Sequence, residues 1–296
     1  FAAEAGQGGE VTMSSYSDDY TPAEMVCVSV AREIEDGDIL ILGSFTPLAF
    51  VSYILAKVTH APNMMYMAYS SVDALPFQLT FATYEAAATK GGVARWNMTE
   101  CIHSLYLGVG VDVEPISSIQ ADGYGNINIS VVGDYQKPML RGPGGAGAPE
   151  VVKMHRKMLG YFPSHNKRTL VPRVDFITGT RWKISNQERM KAGLRPGPVK
   201  LITNLAVLTK EEEARPFRLA SVHPGVTVKD VVDNTGFELD VPGDVPETER
   251  PTREQIRILR QQVDPYGMVA FDFLPGKERV AYLKSILEKE LQMLGR

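Results

Sequence analysis

Cysteine is nearly missing from this chain: 296 residues hold two, Cys27 and Cys101, and neither has a partner at Cys-x-x-Cys spacing. A disulfide framework and a paired-thiol metal or redox site are therefore excluded, and a cytoplasmic setting fits. Long apolar runs are missing too. Charge, Gly or Pro interrupts each candidate within about ten residues, well short of the ~20 that a membrane span needs. Neither sign of charge dominates, since the formal net charge is -4. Basic residues are scattered apart from short clusters such as His155-Arg156-Lys157, so no basic face is offered to nucleic acid. His103 has no second histidine or carboxylate at metal-ligand spacing, so it is expected to cap or pack and no metal is expected. Phe1 to Gly9 has neither an initiator Met nor the basic-then-apolar order of a signal peptide. It reads as an expression remnant or the start of a disordered leader over residues 1–19.

What is present is a chain that is 44% hydrophobic, enough for a large buried core. The pattern reads as α/β. Thr21-Pro22-Ala23-Glu24 has the N-cap, first-turn proline and reciprocal glutamate of a capping box, which predicts a helix to about Asp36. Ile39-Leu40-Ile41-Leu42 is too short for a helix and too continuous for a half-exposed strand, so it predicts a buried parallel strand. Gly43-Ser44-Phe45-Thr46-Pro47 then opens a helix to about Val58, a corner where a phosphate or carboxylate could dock. Met64 to Ala68 is the next strand, its methionines core fillers. Helices are expected over 81–90 and 99–107, with strands over Val111–Gln120, Ile127–Val132, Val174–Ile177, Leu201–Leu208 and Phe217–Val222. Thr227 and Thr252 cap two later helices, over Val228–Asn234 and to about Val263. In the terminal segment, 276–296, Val280, Leu283, Leu287, Leu291 and Leu294 form one apolar helical face.

Glycine is concentrated where none of these elements fits. Gln120 to Asn128 contains Asp122-Gly123-Tyr124-Gly125-Asn126, and Gly142-Pro143-Gly144-Gly145-Ala146-Gly147 follows. Such a backbone can turn tightly and present N–H groups, as an oxyanion site requires. The same spacing also suits a pair of ordinary turns.

The order of residues around those glycines resembles the β-type subunit of class I coenzyme A transferases, closest to the glutaconate branch and its steroid-ring-degrading relatives. Gln120, Asp122, Gly125 and Asn126 match its Gln-x-Asp-x-x-Gly-Asn turn, and Gly142, Gly144, Gly145 and Ala146 match its glycine loop. The likeness continues through Gly133-Asp134-Tyr135, His223-Pro224-Gly225, Asp233 to Phe237 and Val263-Asp264-Pro265, roughly residues 20 to 270. It implies an open, largely parallel sheet with helices on both faces in one α/β domain, taken as 20–275. It also implies a site shared with a homologous α-type chain, in an αβ or α2β2 assembly, and coenzyme A arriving as part of an acyl-CoA substrate rather than as a resident cofactor. Gly144, Gly145, Ala146 and Gly147, with Gln120 and Asn126, are the implied oxyanion and CoA-binding residues.

One position departs from the family. Its transferases carry a nucleophilic glutamate at the end of the strand that follows Ala61-Pro62, and that position falls on Tyr69. A phenol, protonated at neutral pH, cannot form the acyl anhydride that a carboxylate forms. The resemblance therefore implies hydrolytic C–C cleavage or decarboxylation before transfer, with Tyr69 bonding the acyl group and Ser70 orienting it, unless both residues only pack. A transferase drawing its carboxylate from elsewhere, with Asp73 and Glu150 the nearest acids, and a non-catalytic partner chain are the alternatives.

Overall fold

The computed structural model describes residues 15–43, 46–68, 71–74, 91–97, 99–100, 110–181 and 185–294. The helix expected over 81–90 falls outside them, as do residues 101–107 of the helix expected over 99–107, with Cys101 and His103; residues 99–100 are helical. Helix α1, Pro22–Arg32, starts on the expected box, with Glu24 N donating to Thr21 Oγ1 at 3.2 Å and Thr21 N to Glu24 Oε2 at 2.7 Å. It stops short of Asp36. The Glu33 and Ile34 N–H groups turn to carbonyls three residues back, and the Asp38 carboxylate takes the Glu35 N–H at 2.9 Å.

Strand β1, Ile39–Leu42, pairs in parallel, as expected, with β2, Met65–Ala68, and with β5, Val113–Ser117, but only Leu40 and Leu42 are buried while Ile39 and Ile41 are half-buried. Helix α2, Pro47–Thr59, connects β1 to β2. Beyond β2 lie two short antiparallel strands, β3, Ser71–Val72, and β4, Ala94–Arg95. On the other side β5 pairs in parallel with β10, Lys157–Phe162, and β10 with β13, Val199–Thr203. Then β14, Ala206–Lys210, and β15, Phe217–Val222, continue antiparallel, and β16, Leu239–Asp240, closes the edge. One ten-stranded sheet results, parallel through its centre and antiparallel toward its margins except for the parallel β15–β16 pair at one edge.

A second layer grows from β5. Strands β6, Gln120–Asp122, and β7, Asn126–Asn128, form a hairpin flanked by β11, Leu170–Val171, and β12, Gly179–Thr180. A separate hairpin joins β8, Val131–Gly133, to β9, Pro138–Arg141.

Alternation along each strand separates two cores. Leu40, Leu42, Val113, Leu159 and Tyr161 face α1, α2 and the C-terminal elements. Met158, Phe162, Leu201 and Leu219 face α3, Ala148–Met154, α5, Val228–Asn234, and the small sheet. Helix α4, Asn186–Lys191, lies between β12 and β13 in the chain.

Four strand expectations need correction. Val111–Gln120 is β5 followed by the start of β6, and Ile127–Val132 belongs to two hairpins, because Asn128 Oδ1 accepts the Ser130 and Val131 N–H groups and turns the chain. Leu201–Leu208 is likewise a tight hairpin, turned by Thr203 Oγ1 accepting from Leu205 and Ala206. Val174–Ile177 is no strand: Val174 N bonds the Asp122 carboxylate and Asp175 N the Gln120 amide.

The C-terminal segment is not separate from the main body. Helix α6, Arg253–Ile258, runs into a π-helical turn, Leu259–Val263, where Arg260 grips Glu24 at 2.6 and 3.0 Å and Asp19 at 2.8 Å. Residues 15–19, expected in a leader, are ordered here, with Ser17 N bonding Pro251 O at 2.9 Å. A 3-10 turn, Met268–Phe273, leads to helix α7, Gly276–Leu294. Its buried face centres on Ile286, with Leu283 and Leu287 beside it, whereas Val280 and Leu291 are exposed. The expected stripe is thus rotated toward Ile286 and Glu290, both of which are buried.

Candidate active site

The small sheet is built by polar side chains. Asp122 accepts the N–H groups of Tyr124, Asn126 and Val174 and the Asn126 amide, all between 3.0 and 3.2 Å. Gln120 accepts from Asn128 at 2.8 Å and donates to Asp175 at 3.2 Å, and Asp175 takes the Gly133 N–H at 2.9 Å. The structure therefore places Gln120 and Asn126 in the scaffold under the glycine loop, with their amides engaged in holding its base.

The glycine loop stands on that base. Gly142 N bonds Ser130 O at 2.9 Å and Gly144 N bonds Ile129 O at 3.1 Å. Ile119, two residues past the end of β5, lies under Gly142: a β-carbon there would stand 2.6 Å from Ile119 Cδ1 and 2.4 Å from Ile129 O. Gly144 has φ +95°, and Ala146 has φ +41°. That conformation costs an L-residue about 1–2 kcal/mol. Gly147 follows at φ -81°, ψ 1°. Left-handed then right-handed backbone in succession turns consecutive N–H groups toward one side, an arrangement that binds anions. Among the described residues, the N–H groups of Gly145, Ala146 and Gly147 have no acceptor, while Ala148 N closes on Gly145 O at 2.8 Å. The loop thus brings together four of the six residues expected to bind the oxyanion or CoA.

Arg181 fixes the way out of the loop. Fully buried, it donates to Val152 O, His155 O, Arg156 O and Gly197 O at 2.8 to 3.2 Å, clamping the end of α3 against the start of β10. Burial pushes the His155 imidazole down to about 3, so it stays neutral. On the loop's other flank, Thr178 packs against Gly145 and bonds Ser130 at 2.7 Å. A cleft of about 670 Å³ is lined by residues 173–177 just before it.

Beside β5 stands the β1–α2 corner, and there the structure shows a residue that the sequence reading passed over. Glu114 sits inside β5, between Met158 of β10 and Ile41 of β1, on a face otherwise lined by apolar side chains. It is only 9% exposed. Its carboxyl reaches forward to Gly43, where a β-carbon would meet Oε1 at 3.0 Å and Thr46 Cγ2 at 3.5 Å. Among the described residues Oε2 has no hydrogen-bond partner, and burial raises the group to about 8. The sequence carried only a weak signal: Glu114 lies on a central strand, where unpaired carboxylates almost never go, but Asp112 two residues earlier makes Val111 to Glu114 read as a half-exposed alternation.

Tyr69 and Ser70 follow Ala68, the last residue of β2, and lie outside the described residues. Asp73 is drawn back along the sheet by Lys57 at 2.9 Å, and Lys57 also bonds Met64 O near the start of β2. Glu150 is exposed on the first turn of α3. No described helix is long and apolar enough to cross a membrane.

A parallel-centred sheet with a glycine loop beyond the carboxyl end of one inner strand defines an α/β protein of the open-sheet class, which binds ligands at that end. The chain belongs to the coenzyme A transferase family, whose model matches residues 23–234. It is 32% identical to one of the subunits of the 3-oxoadipate CoA-transferase of Pseudomonas knackmussii, over 81% of this chain and 92% of that one. It is also 26% identical to the cholesterol ring-cleaving hydrolase IpdB subunit of Rhodococcus jostii, over 86% and 97% of the two chains. Among solved structures, the decarboxylase AibA/AibB superposes with a TM-score of 0.74 at 28% identity, covering 85% of this chain and 98% of that one. Similar chains thus serve a transferase, a hydrolase and a decarboxylase.

Proposed function

We propose that this chain is the β-type subunit of a two-chain enzyme that breaks a C–C bond in an acyl-CoA thioester, by hydrolysis or decarboxylation. The observation that carries the thioester reading is the row of N–H groups at Gly145, Ala146 and Gly147 that have no acceptor among the described residues. Breaking a C–C bond next to a thioester drives charge onto the thioester oxygen. A preorganised donor at such a site is worth about 2.7–4 kcal/mol of barrier. Coenzyme A enters with the substrate, and the second chain completes the site, as the names of the IpdB subunit and AibA/AibB suggest for their own complexes.

Tyr69 separates this reading from transfer. At the position of the transferase glutamate it supplies a hydroxyl that can bond the acyl group but not an anhydride-forming carboxylate. Ser70 would orient the same group. The likeness to a 3-oxoadipate CoA-transferase favours transfer as the second reading, which needs a carboxylate from another place. The two readings part on one assay. The complex with its α-type chain, given glutaconyl-CoA or 3-oxoadipyl-CoA, is expected to form product without an acceptor acid. Turnover that rises in proportion to added acetate and stops without it would instead establish transfer.

Within that assay, Tyr69→Phe keeps the ring and removes only the hydroxyl. A charge-stabilising hydrogen bond of about 1.5–3 kcal/mol predicts a fall in kcat of about ten- to more than a hundredfold. Unchanged kcat would assign Tyr69 to packing.

A further inference from the structure

We propose that Glu114 is the proton donor of this site: its carboxyl, held at the Gly43–Thr46 corner, protonates the carbon that keeps the electron pair when the C–C bond breaks. The proposal rests on the C–C-cleaving reading above. Its first support is position. Glu114 is set inside a central parallel strand, more than nine-tenths buried, and Gly43 leaves room for its carboxyl by having no side chain. Its second is that Oε2, though buried, bonds nothing among the described residues. A buried polar atom without a partner destabilises the fold, and a glutamine or leucine would fill the strand without burying an ionisable group. Its third is location relative to the loop. Neighbouring strands β1 and β5 deliver the corner and the loop base to the same end of the sheet, since Gly43 follows one and Ile119 the other.

The chemistry balances in both reactions. In decarboxylation the bond to the departing carboxylate breaks, CO2 leaves, and the bonding pair enters the thioester as an enolate or dienolate. In hydrolytic cleavage water adds to a ketone β to the thioester, and the bond from that carbon to the α-carbon breaks. The ketone carbon leaves as a carboxylic acid and the pair again forms the thioester enolate. Each enolate needs one proton on carbon. Glu114 supplies it and takes another from water, while the N–H groups of the glycine loop hold the enolate oxygen. Burial alone raises the carboxyl to about 8, with no charged neighbour contributing. At neutral pH it is therefore largely the acid a donor must be.

Glu114→Gln keeps the shape and removes the proton. In the complex with the α-type chain, the variant is expected to bind glutaconyl-CoA within about threefold of wild type and to lose at least about 100-fold in kcat. Wild-type kcat should be level below pH 8 and fall above it, a limb the residual activity of the variant lacks. Stability should move the opposite way. A carboxyl raised from 4.5 to about 8 in the folded state contributes stability that is full below about 4.5 and lost as pH climbs from there through 8, so Glu114→Gln should melt higher than wild type at pH 9 and alike at pH 4. A wild-type complex that turns over thioester while the variant keeps kcat within threefold, or shares its alkaline limb, overturns the proposal. A wild-type complex inert to both thioesters overturns the C–C-cleaving reading and the proposal with it. Infrared difference spectra of the wild type add a reading independent of the variant's folding: its carboxylic acid band should shift when glutaryl-CoA, which has no cleavable bond, is added. A band indifferent to glutaryl-CoA in an active complex also overturns the proposal.

Discussion

Replacing Gly142 with alanine is expected to lower kcat/KM at least about 100-fold while the chain stays folded. A β-carbon at 142 would stand 2.4 Å from Ile129 O and 2.6 Å from Ile119 Cδ1. The isoleucine tip can rotate away, but Ile129 O is main chain and already accepts the Gly144 N–H. Relieving the contact therefore moves the loop by about 1 Å, the scale of misplacement that costs about 10²-fold in rate. The N–H groups of Gly145 to Gly147 move with it. Gly243→Ala is the matched control, since nothing lies within 4 Å of its added carbon. Turnover of the complex, beside a thermal melt of each variant, separates the two effects. A fully active Gly142→Ala enzyme would detach the loop from the chemistry.

The second large effect is on stability. Arg181→Met removes the donor of four carbonyls at once. Each buried unsatisfied group costs about 1–3 kcal/mol, so the chain should lose about 3 kcal/mol or more. Two of those carbonyls, Val152 O and His155 O, end the helix that leaves the glycine loop, so loosening should reach the site. Urea melts should show a lower midpoint at an unchanged slope. A midpoint equal to wild type would mean that water or a neighbour takes over the arginine's bonds.

These expectations draw on features of unequal legibility. The capping boxes at Thr21, Thr227 and Thr252 are local, since a hydroxyl and an acid or amide three residues apart suffice, and all three formed. The continuous apolar run 39–42 announced a parallel strand for the same reason. The hairpin turns at Asn128 and Thr203 were hidden, because a side chain rather than Gly or Pro makes each bend inside an apolar stretch. The irregular path of 174–177 depends on Asp122 and Gln120, about fifty residues earlier, so no local pattern could show it. The glycine loop was legible as a cluster, but its row of N–H groups, without acceptors among the described residues, depends on the positive φ of Ala146, a residue with no intrinsic preference for that geometry. Glu114 gave only a weak sequence signal and stood out once strand register set it opposite Met158 and beside Ile41, with its tip against Gly43.

The C–C-cleaving proposal rests most directly on Tyr69 standing where the family's transferases carry an anhydride-forming carboxylate. The purified complex, incubated with glutaconyl-CoA and treated with borohydride or hydroxylamine, would carry any glutamyl thioester as a mass change in one peptide. No acidic residue of this chain, Glu114 included, is expected to change mass while product forms. A modified Asp or Glu in this chain would contradict the account and restore the transferase.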